Sequence, residues 1–61
     1  MNKMFAIGER VKIRGKIGCY IVSQRYGNSE YELKEVDSKG RPYPQWPIGG
    51  FTDNDLISAD L

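Results

Sequence analysis

The stretch that decides the fold is Phe5-Ala6-Ile7-Gly8-Glu9-Arg10-Val11-Lys12-Ile13-Arg14-Gly15-Lys16-Ile17-Gly18-Cys19-Tyr20-Ile21-Val22. Apolar residues recur two positions apart, and charged residues lie around and between them. A period of two predicts a strand with one face inward and the other in water. The glycines between the two apolar runs predict a connection between paired strands. The inward positions of the first run are Phe5, Ile7, Val11 and Ile13.

The next residues continue the pattern as two further strands. Residues 19–26 form the predicted second strand, in which Ile21 and Val22 are both apolar and leave the inward register open. Gly27-Asn28 predicts a two-residue hairpin turn. The third predicted strand, residues 30–36, alternates clearly, with Tyr31 and Leu33 on one face. The turn that follows, residues 37–40, ends in a glycine that can adopt positive φ.

The last third of the chain is irregular. Residues 41–48 contain all three prolines, which predict an edge strand or an extended loop because proline cannot donate to a sheet. Thr52 and Asp55 match a helix-capping box, but the room left allows only one 3-10 turn. A last short strand follows at residues 57–59. The predicted core is Val11, Ile13, Ile21, Leu33, Phe51 and Leu56.

These elements carry a resemblance to a known architecture. The pattern Phe5-x-x-Gly-Glu-Arg-Val-x-Ile, then Gly18 and Ile21-Val22, then Phe51-Thr-Asp-Asn-Asp-Leu56, resembles the small SH3-like barrels. These include KOW-type domains, the peripheral ferredoxin-docking subunit of photosystem I, and short phage or plasmid proteins. The resemblance implies an all-β, five-stranded SH3-like barrel with a 3-10 turn before the last strand. It marks a fold and assigns no function.

Length and composition narrow the functional classes. The 61 residues predict a single domain, 1–61, that buries only about 60% of the surface of its unfolded chain. There is no histidine and only one cysteine, Cys19, so we expect no zinc site, no cofactor and no disulfide within the chain. One unpaired cysteine, no apolar run of membrane length and no signal-peptide pattern predict a cytoplasmic protein.

Enzyme signatures are thin. The sequence contains no P-loop and no Gly-x-Ser-x-Gly motif, and we expect no catalytic activity. The plasmid-borne dihydrofolate reductase of the SH3-like type shares the opening pattern and builds its site in a tetramer pore from a Val-Gln-Ile-Tyr segment. Pro44-Gln45-Trp46-Pro47 stands near that place here, so an oligomeric pore-type reductase is the most distant of the alternatives.

Two surfaces are candidates for binding. The first surrounds the proline run and would use aromatic side chains, Tyr43, Trp46 and Phe51, to bind a protein partner or a second copy. The same rings could instead belong to the core of so small a chain. At a sheet edge, however, Trp46 should be at least partly exposed.

The second surface follows from charge. Net charge is only +1, but residues 1–29 carry a net +5 and residues 30–61 a net −4. Basic side chains on one strand face, flanked by Tyr20 and Tyr26, could hold phosphates and stack bases, or could simply be solvated. The candidates are Arg10, Lys12, Arg14, Lys16 and Arg25. The sequence thus predicts a protein-binding module, with nucleic-acid binding as the alternative.

Overall fold

Five antiparallel strands form one sheet in the computed structural model, which describes residues 4–27 and 29–59. The strands are β1 (Arg10–Ile13), β2 (Cys19–Tyr26), β3 (Glu30–Val36), β4 (Ile48–Thr52) and β5 (Leu56–Ser58). A 3-10 turn, Asp53–Asp55, connects β4 to β5. The order across the sheet is β4-β3-β2-β1-β5. Within the described residues, no helix is long and apolar enough to cross a membrane.

The predicted strands are found in the structure, and the differences lie at some strand ends, at the β2–β3 connection and in the proline run. β2 and β3 have the predicted bounds, β1 ends one residue before the end of the strand expected at residues 10–14, and β5 covers Leu56–Ser58 instead of the predicted 57–59. The connection between β2 and β3 spans residues 27–29, one more than the predicted two-residue turn, and residue 28 lies outside the described residues. In the proline run the structure has a loop with a single bridge, from Val36 to Pro42, before β4 begins at Ile48.

The core lies on one face of the sheet. Cross-strand pairs such as Val11 with Tyr20 and Val22 with Leu33 place their side chains on this face. Phe5 packs edge-on against Tyr31, with ring centroids 5.8 Å apart, and its backbone N–H donates to the Tyr31 hydroxyl. The buried cluster is Phe5, Val11, Ile13, Tyr20, Val22, Tyr31, Leu33 and Leu56, and Phe51 packs against it.

Two predicted inward positions are wrong. Ile7 is exposed because the chain turns there, with Gly8 at φ +90°, before β1 begins. Ile21 is only half-buried and faces away from the core, because Tyr20 and Val22 hold the inward positions of β2. The other predicted core residues lie in the core or, for Phe51, against it.

The connection between the two edge strands constrains the shape of the sheet. Five strands in a flat sheet would place β4 and β5 about 19 Å apart, at about 4.8 Å a step. The three residues of the 3-10 turn rise only about 2 Å each. The sheet therefore has to curl, which brings its edges toward each other. It is not closed into a barrel, since no β4–β5 pairing is found within residues 4–27 and 29–59.

Candidate binding surface

The loop that carries the candidate aromatics starts from a tightly hydrogen-bonded turn. Oδ1 of Asp37 accepts from the backbone N–H groups of Lys39 and Arg41, each at 2.9 Å, and Oδ2 lies 3.3 Å from Nε of Arg41. These hydrogen bonds, first of all the one from the Arg41 backbone, hold the pKa of Asp37 below its usual value because they favour the charged carboxylate. The turn thereby fixes where the proline run leaves β3.

Gly40 completes this turn and meets β1. Its φ is +84°, and a Cβ built on it would collide with Nη2 of Arg10. The Arg10 side chain therefore lies against the turn, although it was predicted to belong to a basic strand face that holds phosphates or is simply solvated. The loop is then anchored to β3 by the Tyr43 backbone N–H, which donates to the Glu35 carbonyl at 3.0 Å.

Beyond Tyr43 the loop leaves the sheet and forms a shallow groove. Pro44, Gln45, Trp46 and Pro47 line it together with Lys34 of β3, around a volume of about 450 Å³. The Lys34 ammonium donates a hydrogen bond to the backbone carbonyl of Gln45, which ties the loop to the sheet. The groove thus combines apolar rings with a cationic group.

Trp46 is the most exposed large aromatic side chain of the described residues. It is 91% exposed, in agreement with the predicted edge position, and prolines stand on either side of the Gln45-Trp46 pair. Because proline fixes φ, the backbone around the indole is restricted before any partner arrives. The indole therefore lies open to solvent on a pre-organised segment.

The other two predicted aromatics lie elsewhere. Tyr43 is 41% exposed, at the start of the same loop. Phe51, in β4, pairs with Tyr31 of β3 and packs against the core. The structure therefore places it with the core and not beside Trp46. Lys34 is the contributor that the sequence analysis missed. Alternation puts its side chain on the face opposite Leu33, but only the course of the loop shows that it lines the same groove as Trp46.

The predicted basic surface is dispersed. Arg10 and Lys12 share the outer face of β1, and Lys16 is exposed in the turn after it. Nε of Arg14 donates to the Asn54 carbonyl at 3.1 Å, next to two carboxylates of the 3-10 turn. Arg25 pairs with Tyr31 near the far end of β2. It lies six positions along β2 from Cys19, at the end of the strand that pairs with β1, and six positions of strand span about 20 Å.

Of the two tyrosines predicted to flank the basic side chains, one belongs to the core and one is exposed. Tyr20 belongs to the core, so the prediction for it is wrong. Tyr26 is exposed beside Arg25, and its hydroxyl donates to Oε1 of Glu32 at 2.9 Å. This hydrogen bond holds the phenol proton and raises the pKa of Tyr26 above its usual value.

Metal-binding clusters and known relatives contribute nothing to the assignment. Within residues 4–27 and 29–59, no group of three or more His, Cys, Asp or Glu side chains could hold a metal ion. Comparisons with protein-family models, curated proteins and solved structures give no match for this chain. The residues of the groove and the sheet are therefore the basis for assigning a function.

Proposed function

We propose that this chain is a non-enzymatic, cytoplasmic binding module that takes a protein partner on the surface around Trp46. The observation that carries the proposal is the 91% exposure of that indole, on a proline-restricted loop beside Lys34. A tryptophan side chain buries 150–250 Å², which at roughly 25 cal/mol per Å² is about 4–6 kcal/mol of gross driving force. A contribution of that size is typical of an interface hot spot.

We also propose an SH3-like architecture for the module. The strand order supports it, because the two edge strands are consecutive in the chain and are joined by one 3-10 turn. The curl which that short connection requires is the curl that leads toward a small barrel. This architecture would place the groove at the loop between β3 and β4.

The partner should be recognised through side chains and not by adding a strand to the sheet. Between the Leu33–Ile48 and Tyr31–Phe51 pairs, β4 has two residues, Gly49 and Gly50, where β3 has only Glu32. This bulge distorts the free edge of β4, and Pro47 precedes the strand. Both are features by which proteins prevent edge-to-edge pairing.

A protein partner is favoured over nucleic acid by the dispersal of the basic residues. Nucleic-acid affinity depends on many simultaneous phosphate contacts. Arg25 is far from Lys12, and Arg14 bonds to the 3-10 turn, so few of the predicted cations can act on one ligand. Nucleic-acid binding by Arg10, Lys12 and Lys16 remains the alternative, and binding of the oligonucleotide dT12 that is lost on Lys12→Gln would favour it.

The proposal can be tested by selecting 12-residue peptides from a displayed random library on the full chain. We expect the selected peptides to lose at least about tenfold in affinity on Trp46→Ala, since an anchor residue would be removed. Tyr26→Ala is the matched control, because Tyr26 is also an exposed aromatic but lies at the far end of β2. Peptides that bind Trp46→Ala as well as the wild type, or a failure to select any, would contradict the proposal.

Trp46 also reports on self-association, because it is the only tryptophan. We expect acrylamide to quench its fluorescence equally well across a concentration series, with the protein remaining monomeric. Shielding of the indole that rises with protein concentration would show that a second copy of the chain is the occupant of the groove.

A further inference from the structure

The Trp46 groove continues into a row of cations across the sheet. Arg10 pairs with Ile21 and Ile21 pairs with Lys34, so the three side chains lie side by side on the outer face. We call the two cations, Arg10 and Lys34, together with Ile21 between them, the cation row. With strands about 4.8 Å apart, the α-carbons of Arg10 and Lys34 are about 10 Å apart. Since Lys34 also lines the groove, the indole, Lys34, Ile21 and Arg10 form one continuous surface.

The carboxylates around the cation row are engaged elsewhere. Glu32 is two residues from Lys34 on the same face, but it accepts the hydroxyl proton of Tyr26. Asp37 accepts hydrogen bonds from the backbone N–H groups of Lys39 and Arg41 and forms an ion pair with the Arg41 guanidinium. Glu35 pairs with Tyr20 and so lies on the opposite face of the sheet.

Within the described part of the chain, neither cation of the row is found in an ion pair. Between residues described by the structure, the ion pair found is that of Arg41 with Asp37, and neither Arg10 nor Lys34 takes part in it. Two cations whose α-carbons lie about 10 Å apart, one of them lining the groove of an exposed indole, are a template for a ligand that carries both negative charge and an apolar group.

We infer that the partner of the Trp46 groove is an acidic segment of extended polypeptide. Its apolar side chain would cover the indole, and its carboxylates would bind the Lys34 ammonium and the Arg10 guanidinium. An extended chain advances about 3.3 Å a residue, so two acidic residues that match the α-carbon spacing of Arg10 and Lys34 would lie two to three residues apart. This inference rests on the proposed function and adds the charge and spacing of the ligand.

The test uses the peptides selected on the full-length wild-type chain. We expect acidic residues to be enriched two to three positions apart, together with an apolar residue. Lys34→Gln and Arg10→Gln should each weaken binding about threefold to tenfold, because a charge-assisted contact is lost. Arg10→Lys should recover most of the affinity, since it keeps the charge. Raising the salt concentration should weaken wild-type binding and have less effect on the double Gln variant.

The matched controls are Lys16→Gln and Arg25→Gln, which remove exposed cations outside the row. Binding should be unchanged in both, and melting temperatures of all variants establish that they are folded. Peptides that depend on Trp46 but not on Lys34 or Arg10 would overturn this inference and leave the proposed function intact. Peptides independent of all three residues would overturn both.

Nucleic-acid binding is measured in the same buffer with the oligonucleotide dT12. We expect it to bind more weakly than the acidic peptides, because the two cations of the row supply only about two phosphate contacts. Tighter binding of dT12, lost on Lys34→Gln and Arg10→Gln, would overturn the inference in favour of a single-stranded nucleic acid.

Discussion

At the scale of single residues, Tyr31 stabilises the core both by apolar packing and by a hydrogen bond. Its ring is fully buried among the strands, and its hydroxyl accepts the Phe5 N–H at 3.1 Å. No buried side-chain polar atom in residues 4–27 and 29–59 lacks a hydrogen-bond partner. The segment before β1 is thus attached to the core by a polar contact as well as by the Phe5 ring.

Removing that hydroxyl should destabilise the fold. We expect Tyr31→Phe to lower the free energy of unfolding by about 1–3 kcal/mol, since the ring stays but a buried N–H loses its acceptor. Tyr26→Phe is the matched control, because its hydroxyl bonds to Glu32 at the surface, and it should change stability by less than about 0.5 kcal/mol. Equal urea midpoints for the two variants would contradict this account.

Asp37 gives the surface loop a pH dependence. Its pKa is lowered in the folded chain, so its contribution to stability is complete above its unfolded pKa of about 3.9. That contribution is lost as the pH falls through the lower, folded-state value. Asp37→Asn should therefore be less stable than the wild type at pH 7, and the difference should shrink below about pH 4. Urea unfolding from pH 7 to pH 2 measures this, and a difference independent of pH would show that the carboxylate charge plays no part.

At the scale of elements, the bulge in β4 depends on one glycine. Gly50 has φ +90°, whereas its neighbour Gly49 has no positive φ, and a Cβ would have open space at either position. Substitutions at these two glycines therefore distinguish the cost of backbone strain from the cost of side-chain packing. The positive φ of Gly50 also explains why a strand with the sequence Ile-Gly-Gly-Phe-Thr distorts in its middle.

The two glycines should respond differently to substitution. We expect Gly50→Ala to cost about 1–2 kcal/mol, because a side chain disfavours the left-handed conformation. Gly49→Ala should be close to neutral, since its backbone tolerates a side chain. Thermal melts of both variants measure the difference. A Gly49→Ala protein as destabilised as Gly50→Ala would show that the cost lies in strand pairing and not in φ.

At the scale of the whole molecule, Leu56 holds the curled sheet together. It follows the 3-10 turn, pairs with Ile13 at the start of β5, and is 3% exposed. The Thr52 backbone N–H donates to Oδ2 of Asp55 at 3.0 Å, as the predicted capping box requires, and this fixes the turn before Leu56. One side chain thus secures the edge strand and the connection to the opposite edge.

Truncating Leu56 should therefore affect the global fold. We expect Leu56→Ala to lower the free energy of unfolding by about 2–5 kcal/mol, a large part of the stability of a domain this small. Ile57→Ala, one residue on, removes a 43% exposed side chain and should cost about 1 kcal/mol or less. An unchanged melting temperature for Leu56→Ala would mean that the core does not depend on this contact.

The sequence by itself determined the strands and most of the core, because alternation in Glu30–Val36 and Arg10–Ile13 is a local property of the chain. It also determined the 3-10 turn, and it placed Trp46 and the prolines in an edge strand or an extended loop, of which the structure shows the loop. Where two adjacent residues were apolar, as at Ile21 and Val22, local pattern could not choose the inward one. Strand pairing made that choice.

Only the tertiary structure decided which side chains meet. Arg25 and Lys12 are equally basic in the sequence, but antiparallel pairing carries them to opposite ends of β2, while Lys34 of the acidic half comes to lie in one row with Arg10. The candidate site is made from β1, β3 and the proline loop, residues far apart in the chain. Their distances depend on register and on the path of that loop, and neither is encoded in a local period.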